Sequence, residues 1–508
     1  MTPRYGAERV RRGIGHFILG KGISATGGFL AMVLVVRLLS VDAFADYSVF
    51  VALVEVFTAF SGLGLAHALL RYVPELYAKH YRIALREFVL GAFALRTGVL
   101  LLAIGAVYLL ASPVAGFLGA GDSYQAMRLF LLVVLFRTSS HFLSQILEST
   151  LHQGVTQMAF SVASVSRLLG MVYLMMTGTA TLTSVIWAEV ISELLCVILM
   201  LRGIVNVVVE GAAEAPRPDD DSQWLRRNLR QIARFSVQGY TQHVVGLPFG
   251  GNTNRMVGGH MFAPSAMANY GFAQSLYEYT KRYLPAQLLI GLIRPIVVAR
   301  FSEKRNFSAA AGTCERIILV NMLFIGMIFS ALLVGGDAAL SWVSGGKYGT
   351  EALIILVGLL VVLTLETHRL ILELLVQTVE RYSILIRPNL FLALSVLPAI
   401  YLYRYIGIIA FPASNAVALA FSNLWVKRQL LKESYVYRAQ HGTTLQICAM
   451  VLAGALLGNA LYHAGLPWYV AMAVSELVFL LSAWKFHWQD LKSLAADLMG
   501  RKTLPVQS

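Results

Sequence analysis

The sequence predicts an all-α protein that crosses a membrane many times, and three observations lead there. Its 508 residues are 57% hydrophobic and only 13% charged, with a mean hydropathy of +0.67. A soluble domain has roughly 45–50% apolar and about 25% charged residues. Apolar runs long enough to cross roughly 30 Å of hydrocarbon as helix recur along the whole chain. Lysine and arginine cluster in every second connection, the positive-inside pattern of an even span count with both ends in the cytoplasm. The net charge of +14 therefore reports topology and not a nucleic-acid surface.

Windows of roughly 19 residues give about fourteen spans. The first six have cores at Gly13–Leu39, Ala43–Ala66, Val89–Ala111, Ala126–Glu148, Met158–Thr177 and Leu182–Val207. The next six are Ile232–Gly251, Ala263–Leu284, Ile317–Val334, Ala352–Leu375, Ile384–Tyr401 and Ile406–Val426, and two more follow at Leu445–His463 and Trp468–Trp488. The first run is too long for a cleavable signal peptide and lacks a small-residue cleavage site. A tight polar turn around Asp42 joins the first two spans. The basic connections hold Arg71, Lys79, Arg82 and Arg86, then Arg217, Arg226 and Arg227, then Arg300, Lys304 and Arg305, then Lys427, Arg428 and Arg438.

The expected division is 1–208, a first six-helix lobe; 209–229, a cytoplasmic linker; 230–430, a second lobe; 444–488, two further spans; and 489–508, a cytoplasmic tail. The linker contains the acidic, proline-bearing stretch Glu210–Ser222. Arg71-Tyr72-Val73-Pro74 is echoed by Arg282-Tyr283-Leu284-Pro285, a faint sign of an internal repeat. The longest outer loops, Ser112–Gln125 and Gly335–Thr350, are too short for an extracellular catalytic domain. Cys196, Cys314 and Cys448 stand singly among apolar residues, and no nucleophile motif, phosphate-binding loop or metal-ligand spacing occurs. No catalytic residue, cofactor or metal is expected.

The charges inside spans carry the functional signal, because each costs about 2.5–3.5 kcal/mol to insert and so faces protein or water. Lys21 and Arg137 fall mid-span. Arg167 is also deep, near Ser161, Ser164 and Ser166, which offer it structural solvation. Arg37 and Arg255 lie near the outer surface and are expected to snorkel to it. Lys281 and Arg282 sit either deep or at the cytoplasmic mouth, since Pro285 kinks an apolar run too long for one straight span. Glu366, Arg369 and Glu373 share a helix face and are expected to neutralise one another. Glu189 and Glu193, one turn apart, need a cation between them; they hold a proton or a sodium ion, or pair with an arginine of a neighbouring helix. Glu55 is the third acid suited to ion coupling.

The order of features in the first two spans resembles the Wzx-type oligosaccharide flippases, the polysaccharide-transporter branch of the superfamily that includes MATE exporters and the lipid II flippase. The likeness rests on Arg37-Leu38-Leu39, Phe44-Ala45-Asp46-Tyr47-Ser48, Gly62-Leu63-Gly64-Leu65 and Arg71-Tyr72-Val73-Pro74-Glu75. In the second half it rests on Arg234-Phe235-Ser236, Asn252-Thr253-Asn254-Arg255 and Ala268-Asn269-Tyr270-Gly271-Phe272-Ala273. Ala45 replaces a usual glycine, and Asn254 stands where aspartate often precedes the arginine.

The resemblance implies two pseudo-symmetric six-helix lobes around a central cavity, plus two C-terminal helices. It also implies movement of an undecaprenyl-diphosphate-linked oligosaccharide from the cytoplasmic to the outer leaflet of a bacterial inner membrane by alternating access. Lys21, Arg137, Arg167, Lys281, Arg282, Arg37 and Arg255 are then candidates for the diphosphate, because arginine's fork matches phosphate oxygens. The implied partners are the lipid-linked oligosaccharide, membrane lipid, a polysaccharide polymerase and a chain-length regulator. A MATE-like cation or drug antiporter shares the architecture but calls for an acid-dominated cavity. A polysaccharide polymerase or ligase calls for a sizeable outer loop.

Overall fold

A computed structural model describes residues 7–79, 81–150, 152–206, 223–288, 307–379, 381, 383–437 and 441–498. The stretch Glu210–Ser222, the basic residues Arg217, Arg300, Lys304, Arg305 and Arg438, and the end of the expected tail lie outside the described residues. Among those described, helices carry nearly the whole chain and no strand occurs. By length and composition, 11 segments are fit to cross a membrane. The chain is an all-α, multi-pass membrane protein. It forms two compact units, 1–271 and 272–508.

The first unit holds α1 (Ala7–Leu38), α2 (Val41–Gly62), α3 (Leu65–Ala78), α4 (Arg82–Leu109), α5 (Ala111–Phe117), α6 (Tyr124–Ser149), α7 (Gln153–Thr177), α8 (Leu182–Val205), α9 (Trp224–Gly246) and α10 (Gly251–Met261). The polar turn falls at Ser40, whose hydroxyl caps α2 by accepting from the Ala43 amide. Asp42 lies in the first helical turn instead, where it favours the positive end of the helix. α2 ends because Leu63 and Gly64 turn left-handed, at φ 47° and 70°. A β-carbon on Gly64 would stand 1.8 Å from the Ser236 carbonyl oxygen of α9, so only glycine lets these segments meet.

α7 runs along α1, joined by Ser24 Oγ to Ser164 Oγ at 3.1 Å and by Ser161 Oγ donating to the Gly20 carbonyl at 3.0 Å. Ser161 and Ser164 therefore tie two helices together. In lipid this is the economical bond, since helices associate there by close packing and hydrogen bonds and not by escaping water. The expected outer loop Ser112–Gln125 is largely ordered as α5 and a 3₁₀ turn at Gly121–Ser123.

α11 (Pro264–Tyr283) crosses into the second unit, which continues with α12 (Phe307–Ser344), α13 (Thr350–Thr378), α14 (Ser383–Ala393), α15 (Val396–Ile406), α16 (Ala410–Lys432), α17 (His441–His463) and α18 (Trp468–Leu498). α12 bends at Gly335 (φ −145°, ψ 28°) and resumes, so the expected loop Gly335–Thr350 is helical to Ser344. α14 and α15 form one broken crossing: Pro398 has no amide hydrogen to give back, and the helix parts at Leu394–Ser395. Ser330 and Ser475 bond across α12 and α18 at 2.7 Å, and a β-carbon on Gly454 of α17 would meet both residues at 2.8 Å.

The segment Ser383–Lys432 contains two of the expected spans, so the 11 segments account for all but the seventh and eighth. Those two are helices, α9 and α11, but too polar to qualify. α9 carries Arg226, Arg227, Arg230 and Arg234; α11 carries Asn269, Gln274, Glu278, Lys281 and Arg282.

Candidate functional site

The charges that the sequence scatters over α6, α7 and α8 come together in one buried cluster, joined by Tyr47 of α2. Arg137 lies at its centre. Its Nε donates to Glu193 Oε1 at 2.7 Å and its Nη2 to Glu189 Oε2 at 3.2 Å, so one guanidinium spans both carboxylates. Arg167 Nη1 reaches Glu189 Oε1 at 3.3 Å, and the Tyr47 hydroxyl donates to the same oxygen. The Glu189 side chain is fully buried; those of Arg137, Glu193 and Arg167 are 15%, 13% and 19% exposed. Two arginines face two glutamates, and the cluster is neutral. The intervening cation that Glu189 and Glu193 required is thus Arg137, one turn of α8 fitting the reach of one guanidinium fork.

Arg96 of α4 is 4% exposed and is stabilised otherwise. Its Nη1 donates to the Thr138 carbonyl at 2.9 Å, its guanidinium lies 4.4 Å from the Phe142 ring centre, and its Nε has no hydrogen-bond partner. Arg255, expected to snorkel, is instead 1% exposed and donates to the Asn252 side chain at 3.5 Å and the Gly271 carbonyl at 3.4 Å. The reason is its helix: a β-carbon on Gly259 would meet the Leu118 carbonyl at 2.5 Å and Val49 at 2.8 Å. The glycine lets α10 lie flush on α2, leaving the arginine no route outward. Arg37, in the last turn of α1, is exposed, as is Glu55 on α2, and half-buried Lys21 has Glu148 of α6 as a charged neighbour.

The second unit holds a different arrangement. Lys281 Nζ meets Glu366 Oε2 of α13 at 2.7 Å, and the Tyr277 hydroxyl donates to that same oxygen at 2.6 Å. Lys281 is 39% exposed and Glu366 is 14% exposed. Arg282 is exposed and lies 5.8 Å from the Tyr279 ring centre. Arg369 pairs with Glu373 at 2.7 Å and also donates to Ser422 and Asn389. The expected triad therefore divides: Arg369 and Glu373 stay together, while Glu366 turns to Lys281. α11 stops at Tyr283, ahead of Pro285, and the Ala286 amide beyond the break is satisfied by the buried Asn321 side chain at 2.8 Å.

Tyr47 and Tyr277, each closing a buried carboxylate, were not distinguishable as site residues by sequence; Tyr47 stood out only within the Phe44–Ser48 pattern. Outside the spans, Glu75 lies below the usual carboxylate range, first because Lys79 donates to it and then because Arg71 adds its charge. The partnership raises Lys79 correspondingly. Among the described residues no group of histidine, cysteine or acidic side chains is placed to hold a metal.

No curated protein matches the sequence. The lipid II flippase MurJ in an inward closed conformation is similar in fold: TM-score 0.64, 13% identity, 94% of this chain and 99% of that one. So is an inward-facing multidrug resistance MATE transporter of the MOP superfamily, with TM-score 0.63, 12% identity, and 82% and 98% covered. A MATE in the bent conformation gives 0.52 at 14% identity, with 84% and 96% covered. At these identities the likeness shows the fold. Residues 10–286, more than half of the chain, match the polysaccharide biosynthesis protein family, and the chain belongs to it.

Proposed function

We propose that this protein is a Wzx-type flippase, moving an undecaprenyl-diphosphate-linked oligosaccharide (an O-antigen, capsule or exopolysaccharide unit) from the cytoplasmic to the outer leaflet of a bacterial inner membrane. The observation that carries the reading is α11. Among many apolar spans it is long enough to cross, at about 1.5 Å per residue, yet too polar to face lipid. Its last two turns present Tyr277, Tyr279, Lys281 and Arg282. Ammonium and guanidinium groups suit a diphosphate, and tyrosine faces suit sugar rings.

A sugar head drawn through hydrocarbon without such a path would lose the hydrogen bonds of all its hydroxyls. The exposed pair Lys281 and Arg282 is better placed to meet a ligand than Arg137 and Arg167, whose guanidiniums are taken by glutamates. Membership in a polysaccharide biosynthesis family and a fold shared with a lipid II flippase support the same reading. The antiporter reading is weaker, since Glu189 and Glu193 are closed by arginines.

The test is deletion of the gene followed by mass analysis of polyprenyl-linked glycans in each leaflet. Buildup of one such glycan on the cytoplasmic side supports the reading and identifies the cargo. Unchanged glycan lipids with intact surface polysaccharide would refute it.

A further inference from the structure

Two donors four residues apart on α11 converge on one oxygen of α13. The buried Tyr277 hydroxyl and the half-exposed Lys281 ammonium approach Glu366 Oε2 at 2.6 and 2.7 Å, whereas Glu366 Oε1 has no hydrogen-bond partner among the described residues. A phenol and an ammonium aimed at a single anionic oxygen make the same cradle that a phosphate oxygen would accept. Arg282, one helix position along, is exposed and held by the Tyr279 ring and the Tyr283 hydroxyl, a second cation on the same helix end.

We propose that Glu366 is an internal stand-in for a ligand's phosphate: it occupies the Tyr277–Lys281 cradle while the site is empty and must be displaced for a phosphorylated lipid to bind. This rests on the flippase reading above and adds a selection rule to it. A carboxylate carries one negative charge. A lipid phosphate carries about two at neutral pH, whether as a monophosphate ester or as the diphosphate that joins a lipid to a sugar, so it displaces the carboxylate at a net gain. A diphosphate adds oxygens for Arg282, which favours it over a monophosphate. Glu366 weakens both by the same factor and so sets a threshold that singly charged anions do not pass.

The experiment measures binding of geranylgeranyl diphosphate and geranylgeranyl monophosphate to the full-length purified protein in nanodiscs, by quenching of its tryptophan fluorescence. Wild-type protein should prefer the diphosphate. Glu366→Gln removes the competing charge while keeping shape and an acceptor for Tyr277. It should bind both lipids about fivefold more tightly or better, the release expected of a partly exposed ion pair, by a similar factor for the two. Lys281→Gln should lose most of the diphosphate affinity.

The exchanged double variant Lys281→Glu with Glu366→Lys keeps an ion pair and with it a competing carboxylate, so it should bind no more tightly than wild type. Affinities unchanged or weakened in a folded Glu366→Gln protein overturn the proposal, as does an exchanged variant that binds as tightly as Glu366→Gln. Diphosphate binding that ignores residues 281 and 366 sinks this inference and leaves the flippase reading standing. Absence of binding to either lipid by wild-type protein sinks both.

Discussion

Replacing Arg137 by methionine is the sharpest test of the buried cluster, because the geometry says which partner suffers. Glu189 keeps Arg167 at 3.3 Å and the Tyr47 hydroxyl, so it remains compensated. Glu193 loses a 2.7 Å bond and retains no cation in the cluster, although its side chain is only 13% exposed. Stranding one member of a buried pair costs about 3–5 kcal/mol, and the slight exposure puts this case near the lower end, about 3 kcal/mol.

Adding Glu193→Gln to Arg137→Met removes the stranded charge and should recover at least half of that loss. Glu193→Gln alone, which leaves Arg137 on Glu189, should cost about 1 kcal/mol. The four proteins form a double-mutant cycle, read by SDS-titrated unfolding in mixed micelles with tryptophan fluorescence. An Arg137→Met protein within about 0.5 kcal/mol of wild type, or a double variant no better than the single, would refute the assignment of Arg137 as the clamp between the two glutamates.

Gly64→Ala should prevent α2, α3 and α9 from closing, because the added carbon would overlap the Ser236 carbonyl at 1.8 Å and the φ of 70° disfavours alanine; expression with loss of the monodisperse peak on size exclusion is the expected result, and a wild-type profile contradicts it. Glu75→Gln should cost under about 1 kcal/mol at neutral pH, as the Lys79 and Arg71 contacts lie at the surface. Glu75 is depressed in the fold, so its contribution is full above its unfolded value and fades as pH falls through the lower, folded one; unfolding titrations of wild type and variant should therefore converge as the pH drops past that lower value. On the proposed function, transport should also respond to voltage: a headgroup with about two negative charges leaving an interior at −100 mV gains roughly 4–5 kcal/mol, and a potassium diffusion potential across proteoliposomes should set the direction of flipping without any ion gradient other than that of potassium. Indifference to the potential would require a counter-moving ion.

The all-α membrane class and most spans were legible in the sequence, for a physical reason. A crossing must satisfy its backbone internally and be apolar over a fixed length, and both demands are written locally. What was not legible depends on partners distant in the chain. Arg255 looked like a snorkelling residue because sequence places it near a span end; only the contact of Gly259 with Leu118 and Val49 buries it. Glu366 looked like the natural mate of Arg369, three residues on, yet Lys281, far away in sequence, takes it. The stretches 112–125 and 335–350 lie between apolar runs and so stand as outer loops in the sequence, but short helices tolerate a proline in the first turn and a single glycine bend. Glu189 and Glu193 carried the clearest signal: two like charges a turn apart inside a span demand a cation, and α6 provides it.

The buried charges sort by exposure into two kinds, and the sorting bears on function more than their number does. In the α2–α6–α7–α8 cluster every carboxylate oxygen that is bonded meets an arginine or a tyrosine, no charged side chain exceeds 19% exposure, and acids balance bases. Such a cluster fixes the register of four helices in a medium where hydrophobic attraction between them is absent. A ligand phosphate would have to break two short ion pairs to enter it. At α11 the cation is 39% exposed, its acid lends one oxygen, and a second cation, Arg282, follows in sequence with no acid paired to it, held by the Tyr279 ring and the Tyr283 hydroxyl. Less has to be broken there, and more charge is offered. On the proposed function, a protein that must hold its own helices with salt bridges and still yield positive charge to a passing anion has to keep the two tasks apart, and a closed arginine cluster in one unit with an open lysine–arginine pair in the other would divide them in that way.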